Sequence, residues 1–129
     1  MPTVVITGSR DWPPSKAHLI WNALVKIQRR HEMDWHYTDY VLHHGECPYG
    51  GADLIAASWA AGADWEVIGH PAEENAGWAY AARNQEMIDT NPDYVVACFL
   101  EGAGNRGTQM TYDMAVRAGL KDRIVEVRG

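Results

Sequence analysis

The 129-residue sequence predicts an α/β fold, a Rossmann-like three-layer sandwich around a mostly parallel sheet of about five strands. Three observations carry this reading. Short apolar runs alternate with helical patterns along the chain. The strand runs are almost continuously apolar, as strands covered on both faces are. Right-handed crossovers then leave few other ways to join such units. The length is that of one ordinary domain, so residues 1–129 are read as a single unit.

The elements follow in order. Thr3-Val4-Val5-Ile6-Thr7 is rich in β-branched residues and stops at Gly8, which marks a first buried strand. Pro13-Pro14-Ser15 starts a helix whose Ile20, Ala23, Leu24 and Ile27 recur on one face. The stretch from His31 to Thr38 has no clear period and reads as a loop. Tyr40 to His44 is a second strand, ending at Gly45, and a turn-rich stretch through Gly51 follows. Ala52, Ile55, Ala56 and Trp59 form the stripe of a helix from about Ala52 to Ala61, with Gly62 placed as its C-terminal cap. Trp65 to Gly69 is a short third strand, closed by His70-Pro71. A loop from Ala72 to Gly77 leads into a helix through Arg83, Asn84 and Met87. Asp93 to Leu100 is the strongest strand, and Gly102-Ala103-Gly104 breaks it. A final helix from about Gly107 to Ala118 is capped by Gly119, before a last strand from Arg123 to Val127.

Composition narrows the function classes. A hydrophobic fraction of 47% with 22% charged residues excludes wholesale disorder. Eleven Lys and Arg against 17 Asp and Glu give a net charge of −6, which argues against nucleic acid or an anionic membrane as partner. No apolar run approaches the roughly 20 residues that span a bilayer. Met1 to Ile6 lacks the basic region and long apolar core of a secretion signal, so a cytoplasmic location is expected. Cys47 and Cys98 are far apart with no CxxC pair, which reads as reduced thiols.

In parallel sheets of this kind ligands bind beyond the carboxyl ends of the strands. Three expected strand ends carry glycine with small polar or basic residues: Gly8-Ser9-Arg10, His44-Gly45, and the run from Gly102 through Gly104, Asn105, Arg106, Gly107 and Thr108. Glycine lets backbone approach an anion, and N–H groups at a helix start can hold phosphate. Gly8-Ser9-Arg10 is read equally well as a tight strand exit with a solvated arginine. The Gly102–Thr108 run has GxGxxG letters between strand and helix, yet it comes too late in the chain for a dinucleotide dehydrogenase. Gly51 precedes Asp53, an acid suited either to the helix dipole or to ribose hydroxyls. Arg83-Asn84 could fork onto phosphate and contact a base, or lie on solvated surface. No metal site is expected. His43, His44, His70 and Cys47 match no zinc spacing, and adjacent histidines on a strand face opposite ways. Ser9 lacks a GxSxG elbow and Cys47 an evident base partner, so neither is read as a nucleophile.

The ordered set Thr7-Gly8-Ser9-Arg10-Asp11-Trp12, His44-Gly45, Gly50-Gly51-Ala52-Asp53, Ala76-Gly77, Arg83-Asn84 and Arg106-Gly107-Thr108 resembles the YspA-like, YpsA-related branch of the SLOG superfamily. The resemblance runs from Val4 to Val125. It implies a Rossmann-like fold and a nucleotide or nucleotide-derived ligand, such as a relative of ADP-ribose; no cofactor is expected. Relatives include LOG-type phosphoribohydrolases, which release a base from a nucleoside monophosphate, and the DNA-processing protein of transformation. Small members also occur in phages, where the location would be the host cytoplasm. The LOG-type motif PGGxGTxxE carries a glutamate for glycosidic cleavage, and Thr111 stands in its place here. A threonine supplies neither that charge nor a general base. The expectation is therefore a nucleotide-binding protein, with a nucleoside-monophosphate N-glycosidase as the alternative and a DNA-associated module third. A homodimer is expected from the superfamily habit and from the Trp, Met and Tyr content.

Overall fold

The computed structural model describes residues 2–32, 39–46 and 50–129. Five strands, β1 (Thr3–Gly8), β2 (Val41–His44), β3 (Glu66–Gly69), β4 (Tyr94–Phe99) and β5 (Ile124–Arg128), form one sheet in the order β3-β2-β1-β4-β5. Every neighbouring pair is parallel. Four helices connect them: α1 (Ala17–His31), α2 (Ala52–Gly62), α3 (Gly77–Asp89) and α4 (Arg106–Arg117).

Strand alternation explains the layers. Val4, Ile6, Leu42, Val96 and Cys98 face Ile20, Leu24 and Ile27 of α1 and Ala52, Ala56 and Ala60 of α2. On the other face Val95 packs with Ile88 of α3 and with Met114 and Ala115 of α4. Each fully buried Val, Leu or Ile side chain contributes about 1.5–3 kcal/mol of hydrophobic stabilisation, which is why these runs commit to strands. The alanine face of α2 lets that helix lie close on the sheet. A carbon added to Gly8 would sit 2.5 Å from the Ala52 Cβ and 2.8 Å from the Cys98 Cβ.

Element ends shift in places. α1 continues through His31, where a loop is expected from the sequence. Residues 33–38 and Cys47 lie outside the described residues. Gly62 falls inside α2, and the left-handed residue after that helix is Asp64, at φ 63°. The Trp65 N–H still reaches back to the Ala60 carbonyl at 2.9 Å and closes the turn. Gly119, at φ 80°, takes the cap position expected of it. Among the described residues no helix is long and apolar enough to cross a membrane.

β1 is central, with β2 on one side and β4 on the other. The connections leaving β1 and β4 cover opposite faces of the sheet. Their carboxyl ends thus flank the crevice where ligands enter such folds.

Candidate functional site

The exit of β1 is a fixed bend. The Ser9 carbonyl accepts the Ala52 N–H at 3.0 Å and the Trp12 N–H at 3.3 Å. Its hydroxyl oxygen accepts the Asp11 N–H at 3.0 Å. Gly51, at φ 82°, lies against this bend: an added carbon would meet the Arg10 carbonyl at 2.6 Å. The start of α2 and the exit of β1 are therefore one backbone unit. The Arg10 side chain is exposed, and no acid among the described residues pairs with it.

A second knot forms where β2 ends. The Gly45 N–H donates to Asp53 Oδ2 at 3.1 Å, and Arg83 Nη1 donates to the Gly45 carbonyl. Arg83 Nε donates to Asn84 Oδ1 at 2.8 Å. A carbon on Gly45 would lie 2.7 Å from the Arg83 Cζ and 3.1 Å from Asp53 Oδ2, so glycine here makes room for the guanidinium. Burial pushes the Asp53 pKa up to about 6, against the opposing pull of the Gly45 N–H and of Arg83. Asp53 thus sits on the edge of ionisation near neutral pH. His44 accepts the Glu46 N–H at Nδ1, 3.1 Å away. Burial lowers the His44 pKa, with His70 and Arg83 adding to the effect and Glu46 opposing it. Beneath this knot burial, and then the Asp53 carboxylate, push the Cys98 thiol upward. It stays protonated and packs as a core residue.

The start of α4 is joined to the knot through the buried Asn84, whose Nδ2 faces the Met110 sulfur at 3.9 Å. The Asn105 side-chain amide ties the preceding loop, bonding the Leu100 N–H and carbonyl at 3.0 Å each. Gly104, Arg106 and Gly107 are exposed on this rim, and an added carbon at either glycine meets nothing within 4 Å. Thr108 is buried. Thr111 is fully buried, and its hydroxyl donates to the Gly107 carbonyl at 3.1 Å.

The structure thus brings His44, Gly45, Asp53, Arg83 and Asn84 into one cluster. It gathers Gly8, Ser9, Arg10 and Gly51 into a second, joined to the first through the opening turn of α2. Gly104, Arg106, Gly107 and Thr108 form the far rim, at the end of β4.

Sequence reasoning weighs His43 and His70 only as metal ligands and misses that they pair. His43 Nδ1 lies 2.8 Å from His70 Nε2, both residues being buried, and His70 Nδ1 lies 3.2 Å from Glu86 Oε1. His43 and His44 do face opposite ways, but the partner of His43 comes from beyond the neighbouring strand. The β2–β3 register pairs His44 with Gly69, which sets His70 beside the end of β2. Only that pairing, not any local spacing, could have revealed it.

Searches of curated proteins and of solved structures each returned no significant match. The profile of the YspA, cpYpsA-related SLOG family matches residues 2–77. That span runs from β1 to the first residue of α3 and includes Gly8, Ser9, Arg10, His44, Gly45, Gly51 and Asp53. Arg83, Asn84 and the rim from Gly104 to Thr108 lie beyond it. With more than half of its length matched, and with the parallel α/β sandwich that the resemblance implies, the chain belongs to the YspA, cpYpsA-related SLOG family.

Proposed function

We propose that the protein binds a nucleotide or nucleotide-derived ligand, of the ADP-ribose or nucleoside-monophosphate class, across the carboxyl ends of β2, β1 and β4. The observation that carries this reading is the Gly45–Asp53–Arg83 knot. It fixes a guanidinium and a carboxylate side by side at the sheet end, next to two glycine-bearing strand exits. In this reading Arg10 and the start of α4 hold phosphate, using exposed cations and open N–H groups. Asp53 keeps Oδ1 for ribose hydroxyls while Oδ2 holds Gly45. Asn84 spends its amide on Arg83 and Met110, so it positions Arg83 rather than touching ligand.

Native mass spectrometry of freshly purified protein, followed by calorimetric titration with ADP-ribose and AMP, tests this. The expected result is binding that Arg10→Ala weakens by about 1.5–3 kcal/mol with little change in melting temperature. The reading fails if no nucleotide co-purifies and neither compound binds.

A second reading, nucleoside-monophosphate N-glycosidase activity, is favoured by one observation. Asp53, with its pKa near 6, is poised for general acid–base work where Thr111 supplies no carboxylate. Chromatography of AMP incubated with the protein tests it: free base should appear with the natural chain and not with Asp53→Asn.

A further inference from the structure

We infer that His43, His70 and Glu86 form a proton-operated latch that holds α3, and with it the Arg83 guanidinium, against the ends of β2 and β3. The latch stands apart from the identity of any ligand. It is a property of how the site is held.

Three groups run in a line from the core to solvent. His43 sits on β2, buried, in register with the uncharged Val5 of β1. His70 follows β3 and is buried as well, while the Glu86 side chain on α3 is 63% exposed. Glu86 lies three residues after Arg83, so both fall on neighbouring positions of one helix face. α3 is thus tied to the sheet end at two points, Arg83 to the Gly45 carbonyl and Glu86 through His70 to His43.

The chemistry of the pair is restrictive. Between Nδ1 of one ring and Nε2 of the other, 2.8 Å apart, there is room for one hydrogen. With both rings neutral, the Glu86 carboxylate fixes the order: His70 Nδ1–H donates to Glu86, and His43 Nδ1–H donates to His70 Nε2. One added proton is tolerated, because either ring can carry it while a single N–H still bridges the two. A second proton sets N–H against N–H and places two positive rings together in a buried site. The rings must then part.

The surrounding charges set where this happens. Burial and the facing His70 ring hold His43 below the ordinary histidine range, with His44 of β2 acting the same way and Glu66 of β3 opposing. Among the described residues Glu86 of α3 faces His70, while Glu46, after β2, and Arg83, on α3, act on the adjoining His44. Opening therefore lies on the acid side of the ordinary histidine range. It frees α3 from the sheet end and releases Arg83 from Gly45.

Nuclear magnetic resonance of the full ¹⁵N-labelled chain between pH 8 and pH 4.5 tests the latch, following the imidazole nitrogens of His43 and His70 and the Nε–H signal of Arg83. The tryptophan indole signals report global unfolding in the same spectra. The expected result is that the Arg83 signal moves together with the second protonation of the histidine pair, while the indole signals keep their native positions. Glu86→Gln, a change on the exposed side, should carry both transitions to lower pH together, since a carboxylate no longer stabilises the charged ring. The latch is overturned if Arg83 moves only with the indole signals. It is equally overturned if Arg83 stays still while both rings are charged, or if Glu86→Gln shifts the rings and leaves the Arg83 transition where it was.

Discussion

Asp53 illustrates how one residue carries both a site and a stability burden. In the folded chain it keeps its proton up to about pH 6, whereas an unfolded chain releases it near the ordinary carboxylate value of about 4. Between those values the fold binds the extra proton, so stability falls as pH rises through the window. At pH 7.5 the ionised, half-buried carboxylate is a net burden. Asp53→Asn should therefore raise the melting temperature at pH 7.5, by the equivalent of about 1–2 kcal/mol after allowance for solvent screening and for the loss of the Arg83 partner. The gap should close towards pH 4.5, and circular dichroism melts across that range measure it. His43 and His44 act in the opposite sense. Their lowered pKa values favour the neutral rings in the fold, and the stability they lend is lost as pH falls below about 6.5. Natural chain and variant share that effect, so their difference isolates Asp53. Two glycines make a similar contrast. Gly51 has a left-handed φ of 82° and backbone of Arg10 against it, so Gly51→Ala should destabilise by about 2–4 kcal/mol in denaturant titration. Gly107 has open space and no left-handed φ, so Gly107→Val should unfold at nearly the natural midpoint. Any loss of nucleotide affinity of tenfold or more in that variant then belongs to the ligand alone, and unchanged affinity removes phosphate from this helix.

At the scale of elements, α4 shows why a motif position is not yet a catalytic position. Thr111 faces inward and spends its hydroxyl on the helix's own Gly107 carbonyl, one turn back. Thr111→Glu should therefore not restore a glycosidase. It buries a carboxylate where no partner stands among the described residues, at a cost of several kcal/mol, and the expected outcome is a lower melting temperature with no more base released from AMP than the natural chain releases. The five strands and four helices are legible in the sequence because their apolar runs and stripes are long and unambiguous, β4 and α1 most of all. Boundaries are less so. Gly62 looks like a cap because glycine often is one, but the chain continues one residue and Asp64 takes the left-handed turn instead. The candidate site is legible at its glycines and at Asp53, which stand at strand exits. Arg83 is ambiguous in sequence, because an arginine on a helix gives no sign that it will reach 38 positions back to Gly45. The histidine pair is invisible for the same reason: its two members meet only through the β2–β3 pairing.

Across the whole molecule, the sheet order sets when the crevice can exist. β1 and β4 are neighbours in space, and Thr3 and Asp93, 90 positions apart, bond one another at the foot of that seam. The Thr3 N–H donates to the Asp93 carboxylate at 2.9 Å, and the Asp93 N–H donates to the Thr3 carbonyl at 2.9 Å. Closing so long a loop is the entropically expensive step of assembly, and contacts of this range slow folding. The first three strands can pair through short crossovers before it happens, and they carry Arg10, Gly45 and Asp53. The start of α4 arrives only with β4. A ligand bridging the two halves would act on the fold as well as on the site: it holds shut the seam that joins them. At a hundred times its dissociation constant it would add about 2.7 kcal/mol to the completed fold, all of it withheld from any chain whose central seam is still open.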